Sequence, residues 1–480
     1  MPAHALPYSF SFRGGISRRG IIDRSSPYIS GGFRHRLAYR FVDNRLLAPL
    51  GCRLAAEAAD LIDVCIAITI CDRRGPRKPG RIAWLFDGVP NRSFEISIPV
   101  RRPDLWNRIE KDGVVSGLFN LLSGDEATVR FEQRVRDPRP AELQLPLLLA
   151  PPADDAVVLL HSGGLDSLLG MAHVLASNEH SQLVPVSMIT HTRTRRVVEE
   201  VIKSLEREFP YAQFQGSQLP LFQHDTLDHI DDRATEYRTR ILPCLAAGVV
   251  VAAALGSSRL QLTENGPGAI NLPTSFEQLD SWTTRATHPK TLAAFEALAS
   301  LALDREVRIN NFGLPHTKGQ LALVIRDKRF EDAARRTVSC ERFPYARSDS
   351  PCGRCTSCLY RQAALRRVGM AHIDSSRSGQ DSELKCQAMS PSQSVAATAL
   401  AEFVAQLHAL LSSDDPYRAL DAEYPRIDEV RAVATAQGIS DESVQQMIVD
   451  LYREFYDEIG SFLGAEPVAL LRQPVRAVAS

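Results

Sequence analysis

The chain has 480 residues, of which 44% are hydrophobic and 24% charged, so it is a globular protein too long for one ordinary domain, and two or three are expected. Its formal net charge of -1 gives no bulk attraction to nucleic acid or to an anionic membrane, so direct nucleic-acid binding is not expected. No apolar run approaches the roughly 20 residues that span a bilayer, and the first residues lack the apolar core of a signal peptide, which predicts a cytoplasmic protein without a membrane partner.

Residues 1–140 are predicted to form an α+β domain. They contain no residues at a catalytic spacing, so we expect this domain to dock a partner. The first forty residues are rich in Arg, which suits either a transit peptide or a basic surface, and the alternation of apolar and polar residues favours an ordered surface. A helix is predicted at 103–123. Strands are predicted at 8–12, 61–72, 92–100 and 126–135.

A Pro-rich stretch at 137–152 marks the first domain boundary, and residues 153–371 then alternate between apolar strands and helices. The continuous apolar run at 156–160 is typical of a central parallel strand, because such strands are covered on both faces. Further strands are predicted at 183–189 and 259–263, with helices at 166–177, 193–208 and 233–255. This order predicts an α/β fold with a doubly wound parallel sheet.

The first of these strands leads into Ser162, Gly163 and Gly164, and a helix then begins near Asp166 and Ser167. Adjacent glycines let the backbone turn tightly and approach an oxyanion, and the helix N-terminus offers unpaired N–H groups. No Lys follows the glycines, which excludes a Walker A loop, and Asp166 suits Mg²⁺ coordination or the helix dipole. The alternative is an ordinary turn between a strand and a helix. The preceding strand, the following helix and the two serines together favour a phosphate loop.

The nine cysteines include a cluster in which three thiols are separated by two residues each and a fourth lies upstream. Two-residue gaps let the chain fold around a tetrahedral ion at sulfur–metal distances of about 2.3 Å, and four thiolates leave no open position. We therefore predict a closed, structural Zn²⁺ site, with an iron–sulfur cluster or unligated thiols as the alternatives. The predicted ligands are Cys340, Cys352, Cys355 and Cys358.

The sequence Ser-Gly-Gly-Leu-Asp-Ser at 162–167 resembles the SGGxDS signature of the PP-loop ATP pyrophosphatases. The cysteine cluster, with Ser339 before it and Arg361 after it, narrows the resemblance to the 7-cyano-7-deazaguanine synthases, in which a Ser-Cys pair precedes a CGxCxxC run. The resemblance covers about residues 155–370. It implies cleavage of ATP between the α- and β-phosphates, transfer of AMP to a substrate oxygen, and ATP, Mg²⁺ and Zn²⁺ as cofactors.

The same resemblance implies which residues form the ATP site. Ser162, Asp166, Ser167 and Lys318 are expected to take part in catalysis. Lys318 stands where the family has a Thr-Lys or Ser-Lys step that contacts phosphate, and Arg240 opens a helix that resembles the family's Arg-Asn-type start, although the Asn is missing. The expected ATP- and phosphate-binding residues are Leu160, Ser162, Gly163, Gly164, Leu165, Asp166, Ser167 and Arg240.

The segments that carry substrate residues depart from the family: residues 190–193 and 263–267 replace its usual substrate stretches. Ligands of doubly wound sheets bind at the carboxyl ends of the strands, and Glu264 and Asn265 follow a predicted strand end. Arg285, His288 and Asn311 lie in polar segments with Pro or Gly that could line the same crevice. For each of them, a surface or capping role is the alternative. The candidates are Glu264, Asn265, Arg285, His288 and Asn311. His161, on the buried strand, is expected to be a core histidine.

Residues 372–395 are polar and Ser-rich and predict a linker. Residues 396–480 predict a helical region, with amphipathic helices at 396–412 and 440–463. Single-domain synthases lack both flanking regions. The longer architecture resembles defence-associated relatives from bacterial anti-phage operons, which implies a 7-deazaguanine-type acid as substrate and a protein partner in a defence complex.

Together these patterns predict an ATP-dependent ligase that adenylates 7-carboxy-7-deazaguanine or a similar acid and then joins it to an amine, giving an amide or a nitrile. One alternative is a 7-cyano-7-deazaguanine synthase for modified-base biosynthesis, for which the analogy also allows ADP as product. A second is a nucleotide-sensing subunit without catalysis. The presence of Ser162, Asp166, Ser167 and Lys318 favours an enzyme.

Overall fold

The computed structural model describes residues 6–12, 37–75, 92–135, 137–145, 156–225, 238–274, 284–345, 350–376 and 391–463. Among these residues, no helix is long and apolar enough to cross a membrane. The predicted basic surface of the first forty residues and the Ser-rich linker fall largely outside the described ranges, and the Pro-rich boundary is described only up to residue 145.

Strands and helices alternate through most of the described chain. The strands are β1 (Leu6–Ser11), β2 (Leu37–Phe41), β3 (Arg92–Val100), β4 (Glu126–Gln133), β5 (Val157–Leu160), β6 (Gln182–Ile189), β7 (Gln213–Phe214), β8 (Ser217–Asp225), β9 (Arg259–Leu262) and β10 (Arg308–Asn311). The helices are α1 (Asn44–Leu47), α2 (Ala56–Arg74), α3 (Pro103–Lys111), α4 (Val114–Ser123), α5 (Pro140–Leu143), α6 (Leu165–Ser177), α7 (Thr192–Glu208), α8 (Leu242–Ala254), α9 (Gly266–Ile270), α10 (Pro289–Leu303), α11 (Lys318–Ala322), α12 (Glu331–Arg336), α13 (Thr356–Arg367), α14 (Pro391–Leu411), α15 (Pro416–Glu423), α16 (Arg426–Ala436) and α17 (Asp441–Leu463).

The larger sheet has the strand order β10-β9-β5-β6-β8-β2, and β7 also pairs with β6. Six of its strands are parallel, and β2 pairs with β8 in the antiparallel direction. Val158 and Leu159 of β5 belong to two different apolar clusters, because successive side chains of a strand point to opposite faces. One cluster includes α2, α8 and α10, and the other includes α6, α7 and α12. The predicted α/β fold with a parallel sheet is confirmed.

The N-terminal elements contain a second, smaller sheet. The strands predicted at 92–100 and 126–135 are β3 and β4, and with β1 they form a parallel three-stranded sheet. One apolar cluster includes Phe94 of β3 as well as Val158 of β5. The N-terminal elements and the larger sheet therefore share a buried core, and β2 extends the larger sheet at its edge.

Residues 61–72, predicted as a strand, lie within helix α2, so that prediction is wrong. The segment contains many β-branched residues, which favour strands. In the structure the helix packs against β3, α8 and α10 and is buried on nearly every side, so apolar residues recur on all of its faces. Tertiary burial overrides the local propensity here.

Two predicted helices differ from the observed ones. The helix predicted at 103–123 is divided into α3 and α4 at Gly113, whose φ of 68° lies in the left-handed region. The helix predicted at 233–255 begins only at Leu242, after a 3-10 turn at Arg238–Ile241. In the C-terminal region, α14 and α17 correspond to the predicted helices, and α15 and α16 between them were not predicted.

A buried carboxylate joins the N-terminal elements to the turn before α8. Asp72, near the end of α2, forms an ion pair with Arg92 at 2.6 Å, and neither side chain is exposed to solvent. Its other oxygen accepts hydrogen bonds from the N–H groups of Arg238 (2.7 Å) and Thr239 (3.0 Å) and from the Thr239 hydroxyl (3.0 Å). Since these donors are enclosed, Asp72 provides hydrogen bonds that water cannot replace.

We expect Asp72→Ala to lower the free energy of unfolding by about 3–5 kcal/mol, because it removes one of the two carboxylates that pair with the buried Arg92 and leaves several buried donors without their acceptor. The exposed Asp112→Asn is the control and should change stability by less than about 0.5 kcal/mol. Urea unfolding followed by circular dichroism measures both. An Asp72→Ala protein as stable as the control would show that this carboxylate does not hold the two regions together.

Candidate functional site

The glycine loop, residues 161–164, connects the end of β5 to the start of α6. Gly163 has a φ of 81°, and a Cβ atom there would lie 2.9 Å from the Cγ1 of Val197 in α7. Only glycine fits this position, because both the backbone conformation and the neighbouring side chain exclude a larger residue. The N–H of Gly164 donates to the hydroxyl of Ser162 at 3.2 Å, which stabilises the turn.

The two serines of the loop have different partners. The Ser167 hydroxyl donates to the carbonyl of Gly164 (2.9 Å) and accepts from the N–H of Ser162 (3.3 Å). It also lies 3.2 Å from Nδ1 of His161, and burial lowers the pKa of that histidine to about 4, so the imidazole is neutral at pH 7. Ser167 is buried and stabilises the loop, whereas the Ser162 side chain is exposed to solvent and its hydroxyl lies 3.4 Å from that of Ser167.

The chain before the first cysteine of the cluster also holds the glycine loop. The N–H of Val338 donates to the carbonyl of Gly163 at 2.9 Å, and the N–H of Leu165 donates to the Ser339 hydroxyl at 3.2 Å. Because Cys340 follows Ser339 directly in the chain, these two hydrogen bonds link the start of the cysteine cluster to the glycine loop.

A polar cluster lies beside the loop at the carboxyl ends of β5, β9 and β10. Lys318 forms an ion pair with Asp166 at 2.7 Å, and Asn265 donates to the other oxygen of Asp166 at 3.0 Å. Asn265 is also 3.0 Å from a carboxylate oxygen of Glu264. Asn311 completes the cluster by exchanging two hydrogen bonds with the main chain of Glu264, each 3.0 Å. We name these five residues the edge cluster.

The charges of the edge cluster influence each other strongly. The pKa of Glu264 is raised to about 8, chiefly by burial and then by the charge of Asp166, while Lys318 and Arg240 lower it. The carboxylates Asp166 and Glu264 raise the pKa of Lys318 against the effect of its burial. A cluster with two carboxyl groups and one ammonium group can bind a divalent cation through the carboxylates and an anion through the ammonium group.

The structure brings most of the sequence-predicted site residues together and separates two of them. Leu160 ends β5, Leu165 begins α6, and Arg240 is exposed on the turn before α8, close enough to affect the pKa of Glu264. Arg285 instead pairs with Glu429 of α16 at 2.9 Å. His288 caps α10 by accepting from the N–H of Lys290, and its other nitrogen lies 3.3 Å from the carbonyl of Arg426.

The separation of Arg285 and His288 has a physical reason. Both precede α10, and their neighbours are in the C-terminal helices, which the sequence does not place. Sequence reasoning also missed Glu458, which contacts the chain on both sides of Lys318. The available signal was a single carboxylate on the apolar face of α17, between Phe455 and Phe462.

The sulfur atoms of Cys340, Cys352, Cys355 and Cys358 all lie within 4.8 Å of one another. Those of Cys352 and Cys358 are 3.9 Å apart, close to the roughly 3.8 Å between sulfurs in a tetrahedral site with bonds of about 2.3 Å. Gly353, with a φ of 73°, makes the turn between the first two ligands of the run. The donor set and its spacing fit a metal ion such as zinc.

The chain was compared with known protein families and with curated proteins. No family model matches it, and no curated protein matches it.

We expect the purified protein to contain about one equivalent of zinc, and Cys355→Ser to lower the free energy of unfolding by several kcal/mol, since structural zinc contributes directly to folding. Elemental analysis and thermal unfolding measure the two effects. The control is Cys52→Ser, a free thiol outside the cluster, which should keep the metal. Stoichiometric iron and sulfide with visible absorbance would establish an iron–sulfur cluster instead.

The raised pKa of Glu264 predicts a dependence of stability on pH. The pKa is about 8 in the folded protein and about 4.3 in an unfolded chain, so folding takes up a proton between these values. The contribution of this group to stability is therefore complete below about pH 4 and is lost as the pH rises through about 8. Glu264→Gln is always neutral and should gain about 1–3 kcal/mol over the wild type between about pH 5 and about pH 8.

Urea unfolding at these two pH values measures the difference. The exposed Glu206→Gln is the matched control and should follow the wild type at both. A Glu264→Gln curve parallel to that of the wild type would show that the Glu264 carboxyl group titrates normally.

Proposed function

We propose that this chain is an ATP-dependent enzyme that adenylates an acid, of which 7-carboxy-7-deazaguanine is the best candidate, at the glycine loop and the edge cluster. One observation carries the proposal. Lys318 Nζ lies 2.7 Å from Asp166 in the first turn of α6, although the two residues are far apart in the sequence. The resemblance to PP-loop enzymes assigns both residues to the same phosphate site, and their proximity supports that assignment.

The candidate site offers suitable groups for the phosphates of ATP and for Mg²⁺. The glycine loop and the N-terminus of α6 present N–H groups and a positive dipole end for the leaving pyrophosphate. Ser162 adds a hydroxyl donor, and Lys318 can exchange its contact with Asp166 for a phosphate oxygen. Asp166 and Glu264 are the residues that would hold Mg²⁺, which neutralises phosphate charge when bound. Catalysis in such a site is mainly positioning and electrostatic stabilisation.

The proposed reaction has two steps. In the first, a carboxylate oxygen of the acid attacks the α-phosphorus of ATP, the bond to the β-phosphate oxygen breaks, and pyrophosphate leaves. In the second, an amine attacks the carbonyl carbon of the acyl adenylate, loses a proton, and displaces AMP. The proton that the amine loses passes to solvent.

The amine is the open part of the proposal. Resemblance to defence-associated relatives favours an amine on a partner protein, which would give an amide. With ammonia, a second activation and loss of water would give the nitrile of 7-cyano-7-deazaguanine. Mass spectrometry of small products and of partner proteins after incubation with ATP and the acid separates the two outcomes.

We expect Ser162→Ala and Asp166→Ala each to reduce acid-dependent AMP formation by a factor of about 10² to 10³. The first removes a hydroxyl donor to the phosphates, and the second removes a carboxylate that would hold Mg²⁺. Ser177→Ala, at the exposed end of the same helix, is the control and should keep wild-type activity. The rate of AMP release, measured by chromatography on variants with unchanged thermal unfolding, tests this. Wild-type AMP formation in both loop variants would remove the loop from the site.

A further inference from the structure

Glu458 of α17 is a buried carboxylate that contacts the chain next to Lys318. It is 4% exposed and lies on the helix face that otherwise carries apolar residues of the C-terminal core. One oxygen accepts a hydrogen bond from the Thr317 hydroxyl at 2.6 Å and from the N–H of Gly319 at 3.0 Å. The other oxygen lies 3.1 Å from the same N–H. The carboxylate therefore holds the residue before and the residue after Lys318.

The side chains of Glu458 and Arg367 pack closely against Gly319. A Cβ atom on Gly319 would lie 2.4 Å from Glu458 Oε2 and 2.7 Å from Cδ of Arg367. Thr317 is also fixed, because its hydroxyl accepts from the N–H of Gln320 at 3.2 Å while its own N–H donates to the Gln320 side chain at 2.9 Å. These contacts hold the backbone on both sides of Lys318, whose ammonium group lies 2.7 Å from Asp166.

The same helix contacts a second part of the edge cluster. A Cβ atom on Gly266 would lie 2.5 Å from Cδ2 of Leu451 in α17, and Gly266 directly follows Asn265. The N–H of Gly266 donates to the carbonyl of His316 at 2.8 Å, so the two segments that α17 contacts are also joined to each other. Helix α17 thus supports both segments from one side.

We infer that Glu458 is a positioning residue, which directs Lys318 to the glycine loop by binding the Thr317 hydroxyl and the Gly319 N–H group. The inference depends on the proposed function for the consequence in catalysis, and on the contacts above for the geometry. It gives the C-terminal helices a part in forming the candidate site. Arrangement of reacting groups is sensitive to shifts of about 1 Å, so loss of this support should be visible in the rate.

Two substitutions of similar length separate hydrogen bonding from packing. In Glu458→Gln the amide oxygen can take the place of Oε2 and accept both hydrogen bonds. In Glu458→Met no acceptor remains, although the volume is kept. We expect Glu458→Met to lower kcat/KM for ATP on the order of tenfold, and Glu458→Gln to stay within about threefold of the wild type. The exposed neighbour Asp457→Asn is the control and should be unchanged.

A double-mutant cycle tests whether Glu458 acts through Lys318. In a Lys318→Ala background, Glu458→Met should lower kcat/KM by no more than about twofold further, because the side chain that it positions is already absent. A general structural defect would reduce the rate by the same factor in both backgrounds. Hydrogen exchange of the peptide containing Gly319, measured by mass spectrometry, should be faster in Glu458→Met than in the wild type, and this readout does not depend on activity.

The possible results distinguish failure of the proposed function from failure of the positioning role of Glu458. If the wild type forms no acid-dependent AMP, the proposed function fails and the catalytic role of Glu458 falls with it. If the wild type is active but Glu458→Met is equally active, or the cycle is additive, only the positioning role is overturned. Loss in Glu458→Met, rescue in Glu458→Gln and a non-additive cycle together establish it.

Discussion

The ion pair between Asp166 and Lys318 is the contact on which the candidate site depends. It joins the first turn of α6 to α11, and the two side chains are only 15% and 8% exposed. Buried charges are unfavourable unless hydrogen bonds compensate for lost hydration, and Asn265 supplies one such hydrogen bond to Asp166. The parallel order β10-β9-β5 places the three strand ends side by side, so the sheet topology itself assembles the cluster.

Two buried carboxylates from the flanking regions bind the chain next to Arg240 and Lys318. Asp72, from the N-terminal elements, binds the N–H groups of Arg238 and Thr239, directly before Arg240. Glu458, from the C-terminal helices, binds the residues on either side of Lys318. Each flanking region therefore contributes to the support of a cationic side chain. In this arrangement the regions that lack catalytic residues of their own still influence the electrostatics of the edge cluster.

The parts of the fold that follow from local pattern were predictable. The apolar run of β5, the glycine turn and the cysteine spacing each have a direct physical reading, and the structure contains each of them. Helix α2 was mistaken for a strand because its apolar character comes from burial on all sides and not from its own periodicity. Glu264 was selected as a strand-end residue and Asn311 for its polar, Pro- or Gly-containing segment, and the two do meet.

Arg285 and His288 were selected by the same polar character as the residues that meet, but their partners are in helix α16. No local pattern shows which surface a distant helix will cover. For the same reason, the sequence does not identify Glu458 as a residue near the candidate site. Long-range packing, and not residue type, decides which polar side chains belong to the site. The sequence alone therefore predicts the centre of the site better than its surroundings.

Transfer of an oxygen atom tests the central claim most directly. The acid, 7-carboxy-7-deazaguanine, would be labelled with ¹⁸O in its carboxylate and incubated with ATP and an amine donor, and the nucleotide products would be analysed by mass spectrometry. If the carboxylate attacks the α-phosphorus, one labelled oxygen must appear in AMP, and none in pyrophosphate. Unlabelled AMP, or label found in inorganic phosphate together with ADP, would contradict adenylation at this site.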